Sequence, residues 1–311
     1  MIIKMIFENQ ITFVKKGFNM PIPWNKSWQK VEGYHYDDLI YEKKYLQSGG
    51  VAKITINRPQ KLNAFTGRTI RNMYECVNDI NMDPSIGVVI LTGAGDKAFC
   101  TGGDVESESE GEFEDIIFLQ CNNVILACKK PIIAVVKGWA VGGGNHMAYC
   151  CDFTIAADNA RFAQAGPRVG SPATGWFVQY AERVIGAKRA RELWMLCRRY
   201  DAQQALAMGL VNAVVSLDKI DEEVDKWCEE ILEKSPTCIQ LLKATFDDEF
   251  TYRRFDESMD LQKKMFPKFQ NSEEQKEAQM AFFEKRKPNF LRFLEKDYDE
   301  YAKNRKKIIV K

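Results

Sequence analysis

The chain has 311 residues, of which 45% are hydrophobic and 28% charged, values that suit one large or two smaller globular domains and exclude collagen-like, low-complexity and wholly disordered readings. Lys+Arg number 44 against 43 Asp+Glu, so no long-range attraction draws the chain to nucleic acid or to an anionic membrane. Nine cysteines without a CxxC pair, beside two histidines, provide neither a structural zinc cluster nor a secreted disulfide framework, and scattered reduced thiols point to the cytoplasm.

Residues 1–45 carry mixed charge and little periodicity and are expected to form an extension. Lys4, Glu8 and Asn9 interrupt its apolar start before a signal-peptide core is complete. The first strand is expected over residues 51–57, where a β-branched run stops at Arg58-Pro59 because proline cannot donate to a ladder. A helix follows over 66–82. Residues 87–93 and 132–136 are short apolar runs of the kind covered on both faces of a parallel sheet, and residues 152–157 repeat the pattern. Residues 187–196 read as an amphipathic helix. Beyond residue 201 the chain reads as mostly helical: Asp201 caps a helix over 202–208, Ser235-Pro236 opens another over 236–248, and further helices are expected over 218–234, 253–266 and 272–286. The expected class is α/β, with a core over 46–215, a helical region over 216–290 and a charged tail over 291–311.

Two glycine-rich stretches directly follow buried strands, the place where open α/β sheets form ligand crevices. They are Ala98-Phe-Cys-Thr-Gly-Gly103-Asp and Trp139-Ala-Val-Gly-Gly143-Gly-Asn-His146, the second opening a helix. Each is either a tight turn or a source of free backbone N–H groups for a developing oxyanion. Phosphate sites are disfavoured, since GxxxxGK[ST] and GxGxxG are both missing. A GxSxG nucleophile elbow is missing too, and His35 and His146 are too few to supply a triad as well as other roles. His35 lies in the extension, whereas His146 follows the glycine triplet, where its ring either faces the crevice or is structural.

Over about residues 39–290 these motifs resemble the crotonase (enoyl-CoA hydratase/isomerase) superfamily. Within it the segments ITINRPQKLNAF, VVILTGAGDKAFCTGGD, GGGN, CDFTIAADNARF, QAGPRVGS, LCRRYDAQQALAMGLVN and FFEKRKPNF are most similar to 1,4-dihydroxy-2-naphthoyl-CoA synthases and 2-ketocyclohexanecarboxyl-CoA hydrolases. QAGPRVGS without a following acid also resembles the 6-oxocyclohex-1-ene-1-carbonyl-CoA hydrolases. The resemblance implies a crotonase-type spiral of ββα units with a C-terminal helical region, assembled as a homotrimer or homohexamer. It implies an acyl-CoA ligand whose thioester oxygen lies between the N–H groups of Gly103 and Gly143. It places Lys61, Ala64, Lys97 and Ala98 along the CoA path, with Lys285 reaching a phosphate from the C-terminal region of this or a neighbouring subunit. No metal or cofactor beyond CoA is implied.

Departures from the family pattern bear on the reaction. The two hydratase glutamates fall at His146 and Gly166, which disfavours hydration by that pair. The synthase aspartate falls at Ala173, and its tyrosine near Phe269-Gln270, where no tyrosine stands. Gly166 leaves room for a small anion such as bicarbonate, with Gln164 to hydrogen-bond it, as in one synthase subgroup. The acidic run from Asp104 to Asp115 is either a solvated face or a substitute source of carboxylates. The favoured expectation is hydrolytic C–C opening of an alicyclic β-oxo acyl-CoA, in anaerobic aromatic or alicyclic degradation. The alternatives are naphthoyl-CoA-type ring closure, then hydration, then a binding module that has lost catalysis.

Overall fold

The computed structural model describes residues 25–104, 106, 123–171, 176–247, 272–286 and 289. The first half contains β1 (Gln29–Lys30), β2 (Leu39–Tyr45), β3 (Gly50–Ile56), α1 (Gly67–Met82), β4 (Ile86–Gly93) and β5 (Ala98–Cys100). The centre continues with β6 (Ile132–Val136), β7 (Trp139–Val141), α2 (Gly143–Cys150), β8 (Phe153–Ala157), β9 (Arg161–Ala163) and α3 (Trp176–Leu196). The remainder holds β10 (Arg199–Asp201), α4 (Ala202–Ala207), β11 (Ala213–Val215), α5 (Ile220–Leu232), α6 (Pro236–Asp247) and α7 (Glu273–Phe283). No helix among the described residues is long and apolar enough to cross a membrane.

The strands form a seven-stranded sheet, β1-β2-β3-β4-β6-β8-β11, and a four-stranded sheet, β10-β9-β7-β5. The order follows a repeat. Each of β4, β6 and β8 sits in the larger sheet and is followed at once by β5, β7 or β9 in the smaller one, and the ladders β4·β6, β6·β8, β5·β7 and β7·β9 are all parallel. This is the spiral of ββα units expected from the resemblance.

Period-two alternation explains why β6 reads as an unbroken apolar run. Ile132, Ala134 and Val136 belong to the main core, while Ile133 and Val135 point to the opposite face, into a second core shared with Ile220, Val224 and Cys228 of α5. The caps follow the sequence. Thr66 and Thr69 form a reciprocal capping box at α1, and Asp201 and Gln204 form another at α4. In α3 the helical path breaks at Gly186, whose φ of 75° is open to glycine without strain.

Three expectations change. Leu39–Tyr45, read by its charges as part of the extension, is a strand that pairs along its whole length with β3 in the seven-stranded sheet. Its polar residues are held by partners distant in sequence: Lys43 Nζ donates to Asp79 (2.6 Å) and Asp83 (2.9 Å), Lys44 pairs with Asp225, and Glu42 with Lys53 (2.9 Å). The expected helix over 187–196 is the second half of the longer α3. The expected strand at 152 starts one residue later, at Phe153, and the Asp152 carboxylate beside it accepts from Ile132 N–H (2.7 Å) and from Lys243 Nζ (2.6 Å), which ties α6 to the sheet. The helix expected over 253–266, Ala173, Phe269-Gln270, the tail over 291–311 and most of the acidic run lie outside the described residues.

Candidate active site

The two glycine stretches, about 40 residues apart in sequence, meet. After β5 the chain turns at Gly102, whose φ of 99° lies in the left-handed region that favours glycine. Gly102 C=O accepts from Phe65 N–H (2.9 Å) and Phe65 C=O accepts from Asp104 N–H (2.8 Å), so the bridge at Gly103 leaves the Gly103 N–H outside it. After β7 the chain turns at Gly142 (φ 54°) and Gly143 begins α2, where the first-turn N–H groups have no partner within the helix.

The glycines are required by contact. A Cβ on Gly143 would meet the Phe65 ring at 2.8 Å, one on Gly144 would lie 2.1 Å from the Cys100 carbonyl oxygen, and one on Gly102 would stand 3.1 Å from the Gly143 nitrogen. Only bare backbone lets the α2 N-terminus approach the 100–103 turn this closely. Among the described residues no hydrogen bond uses the Gly103 or Gly143 N–H. The Gly103 and Gly143 segments are thus brought side by side, at the positive end of a helix.

The residues expected along the CoA path divide into two places. Asn63, fully buried and left-handed (φ 57°), donates from Nδ2 to Ala94 C=O (3.0 Å) and Ala98 C=O (2.7 Å), which joins the Lys61–Ala64 turn to Lys97-Ala98. Ala64 and Ala98 are buried, Lys61 and Lys97 exposed. Lys61 Nζ pairs with Glu106 (2.6 Å), and that hydrogen bond raises its pKa. Lys285 lies elsewhere, exposed in the turn after α7, a helix that packs on Gly170 through Gln275 and Ala278. No bond among the described residues joins it to the Lys61 group.

His146 is buried in α2. Its Nε2–H donates to Gln164 Oε1 at 3.0 Å, and its ring lies 4.6 Å from Phe177 and 4.9 Å from Trp194, centroid to centroid. Burial lowers its pKa to about 3, against a smaller opposing effect of the Gln164 bond, so the imidazole is neutral. Gln164 is buried as well; its Oε1 accepts from His146, while its Nε2, the atom that would donate to an anion, has no hydrogen-bond partner among the described residues. Gly166 opens a 3-10 turn, its carbonyl accepting from Val169 and Ser171 N–H.

Sequence reasoning passed over Arg58, which holds these pieces together. Its NH1 donates to Ala64 C=O (2.5 Å) and its NH2 to Asp104 Oδ2 (2.7 Å). The available signal was its place in NRPQKLNAF, directly after a strand end.

Residues 47–292 match the family model for enoyl-CoA hydratase/isomerase, well over half of the chain. The chain belongs to the enoyl-CoA hydratase/isomerase family. Its crotonase fold is therefore that of enzymes acting on acyl-CoA thioesters. Among solved structures it is similar to an enoyl-CoA hydratase/carnithine racemase from Magnetospirillum magneticum, at 29% identity over 84% of this chain and 98% of that one, with a TM-score of 0.64. An enoyl-CoA hydratase from Mycobacterium avium subsp. paratuberculosis K-10 is 28% identical over 80% and 98% of the two chains (TM-score 0.67). A methylmalonyl-CoA decarboxylase in complex with 2-nitronate-propionyl-CoA is 29% identical over 82% and 99% (TM-score 0.73).

Proposed function

We propose that this enoyl-CoA hydratase/isomerase family member opens an alicyclic ring carrying a ketone β to a CoA thioester. The observation that carries the reading is the meeting of the Gly103 and Gly143 segments beside a site whose two hydratase glutamate positions hold His146 and Gly166. Water adds to the ketone, and the bond between that carbon and the α carbon breaks. The former ketone carbon becomes a carboxylate, and the electron pair passes into the thioester as an enolate. The Gly103 and Gly143 N–H groups hold the enolate oxygen, and the α carbon then takes a proton, giving an open-chain carboxyacyl-CoA. Losing one such preorganised donor typically costs ~2.7–4 kcal/mol of transition-state stabilisation.

A neutral His146 suits this chemistry as a hydrogen-bonding group, since with a pKa of about 3 it is not an imidazolium acid at neutral pH and is only a weak base. CoA would run past Ala64 and Ala98, with Lys61 and Lys97 at its phosphates. Lys285 would come from a neighbouring subunit of a trimer. Support for assembly lies in the exposed Leu241, Leu242 and Phe246 of α6 and Met280, Phe282 and Phe283 of α7.

Mass spectrometry of 2-oxocyclohexane-1-carboxyl-CoA and a fused bicyclic analogue, incubated with the protein in oxygen-18 water, tests the reading. Gain of one labelled water with an opened ring supports it. Intact esters would overturn it, and turnover of methylmalonyl-CoA in the same assay would assign the enolate to decarboxylation instead.

A further inference from the structure

Among the described residues, four buried side-chain atoms have no hydrogen-bond partner: Asn145 Oδ1, His146 Nδ1, Gln164 Nε2 and Trp194 Nε1. They belong to one neighbourhood. Asn145 and His146 are consecutive in α2, Asn145 Nδ2 donates to Ala163 C=O (3.4 Å), His146 bonds the next residue, Gln164, and Trp194 lies on the His146 ring. Buried polar atoms are nearly always paired, so a cluster of unpaired ones beside the oxyanion glycines calls for a function.

The rings around His146 are ordered. His146, Phe177 and Trp194 lie within 30° of parallel, with interplanar angles of 23° (His146–Phe177), 28° (His146–Trp194) and 27° (Phe177–Trp194). Trp194 lies in the part of α3 beyond the break at Gly186. Gln164 then decides which imidazole nitrogen carries the proton, because its amide oxygen only accepts. The groups contacting His146 are Tyr149 of α2, Gln164 after β9, and Phe177 and Trp194 of α3. Tyr149 is the titratable one, and its hydroxyl donates to Phe177 C=O (3.1 Å), so no carboxylate among these contacts favours an imidazolium.

We infer that Trp194 is a positioning residue for His146: with Phe177 it holds the imidazole ring in the plane where Gln164 Oε1 accepts from Nε2–H, leaving Nδ1 as an acceptor for the water or hydroxyl of the reaction. The inference rests on the ring-opening reading for what Nδ1 accepts from, and on geometry alone for the fixed ring.

The chain has two histidines, so selective nitrogen-15 labelling gives two imidazole spin systems, and His35→Asn assigns them. The expected wild-type spectrum at pH 7 shows His146 neutral with its proton on Nε2. Trp194→Phe, which keeps a flat ring against the imidazole, retains that state, and Trp194→Leu gives a mixture of tautomers. With 2-oxocyclohexane-1-carboxyl-CoA, Trp194→Leu is expected to lower kcat about tenfold or more while KM stays within about twofold, and Trp194→Phe to restore most of the loss. Should Trp194→Leu not fold, Phe177→Leu makes the same comparison from the other ring. A wild-type His146 protonated at Nδ1 or on both nitrogens, or one unchanged in the leucine variants, would overturn the inference. If no ester is turned over, the ring-opening reading fails, and the spectra still decide whether Trp194 holds the ring.

Discussion

Arg58 binds Asp104 across 2.7 Å while its other terminal nitrogen holds the Ala64 carbonyl, so one guanidinium links the turn proposed to follow CoA with the turn that carries Gly103. Asp104 is almost wholly buried, its side chain 8% exposed, against 17% for Arg58.

Arg58→Leu leaves that carboxylate unpaired and is expected to destabilise the fold by about 3 kcal/mol. Arg58→Lys keeps the charge without the two-pronged geometry and is expected to fall between. Urea denaturation of the two variants, with Asp104→Asn added to each, checks the ordering: the second change should rescue Arg58→Leu.

Gly143→Pro removes one N–H at the first helical position, where proline is tolerated by the helix itself. Because the proline Cβ would otherwise lie 2.8 Å from the Phe65 ring, the change is made in a Phe65→Leu background, which lacks those ring atoms. The expected result is a folded protein by circular dichroism with kcat about 10²–10³-fold below that of Phe65→Leu alone. Undiminished turnover would remove Gly143 from the oxyanion role.

Gly144→Ala and Gly142→Ala separate steric from conformational need. The first places a methyl 2.1 Å from the Cys100 carbonyl oxygen and is expected to prevent docking of α2, whereas the second meets nothing within 4 Å and bears only the strain of φ 54°. Gly142→Ala should cost about 1 kcal/mol in thermal unfolding, and Gly144→Ala should yield little folded protein.

His146 stays neutral in the fold down to a pKa of about 3, whereas unfolding exposes it to its ordinary value near 6.5. The unfolded chain therefore binds the extra proton between these values. This group's effect leaves stability intact above about pH 6.5 and lowers it as pH falls toward 3, by up to ~1.4 kcal/mol per pH unit. His146→Leu removes the titration, so its urea midpoint should fall less than that of the wild type between pH 7 and pH 4. Parallel falls would mean that His146 is solvated.

Elements whose signals are local were legible. The strand at 132–136 shows its burial in five consecutive apolar residues, and Asp201 with Gln204 announces a helix start within four. The three-residue strands of the smaller sheet were hidden. Ala98–Cys100 and Trp139–Val141 lead into the glycines that drew attention as turns, and three residues carry too little alternation to register. Leu39–Tyr45 was hidden by charge, since Lys43 and Lys44 read as solvated until their carboxylate partners on α1, at Asp83 and on α5 are in place.

The sequence by itself determined the buried strands, the caps and the glycines, because propensity, alternation and backbone freedom act over a few residues. It also placed the chain among acyl-CoA enzymes through motifs in order along it. The tertiary structure decided that the Gly103 and Gly143 segments meet, that Arg58 closes on Asp104, and that His146 is a buried ring against Phe177 and Trp194. Those outcomes depend on groups about 30 to 50 residues apart being desolvated together, and desolvation is a property of the packed chain rather than of any segment.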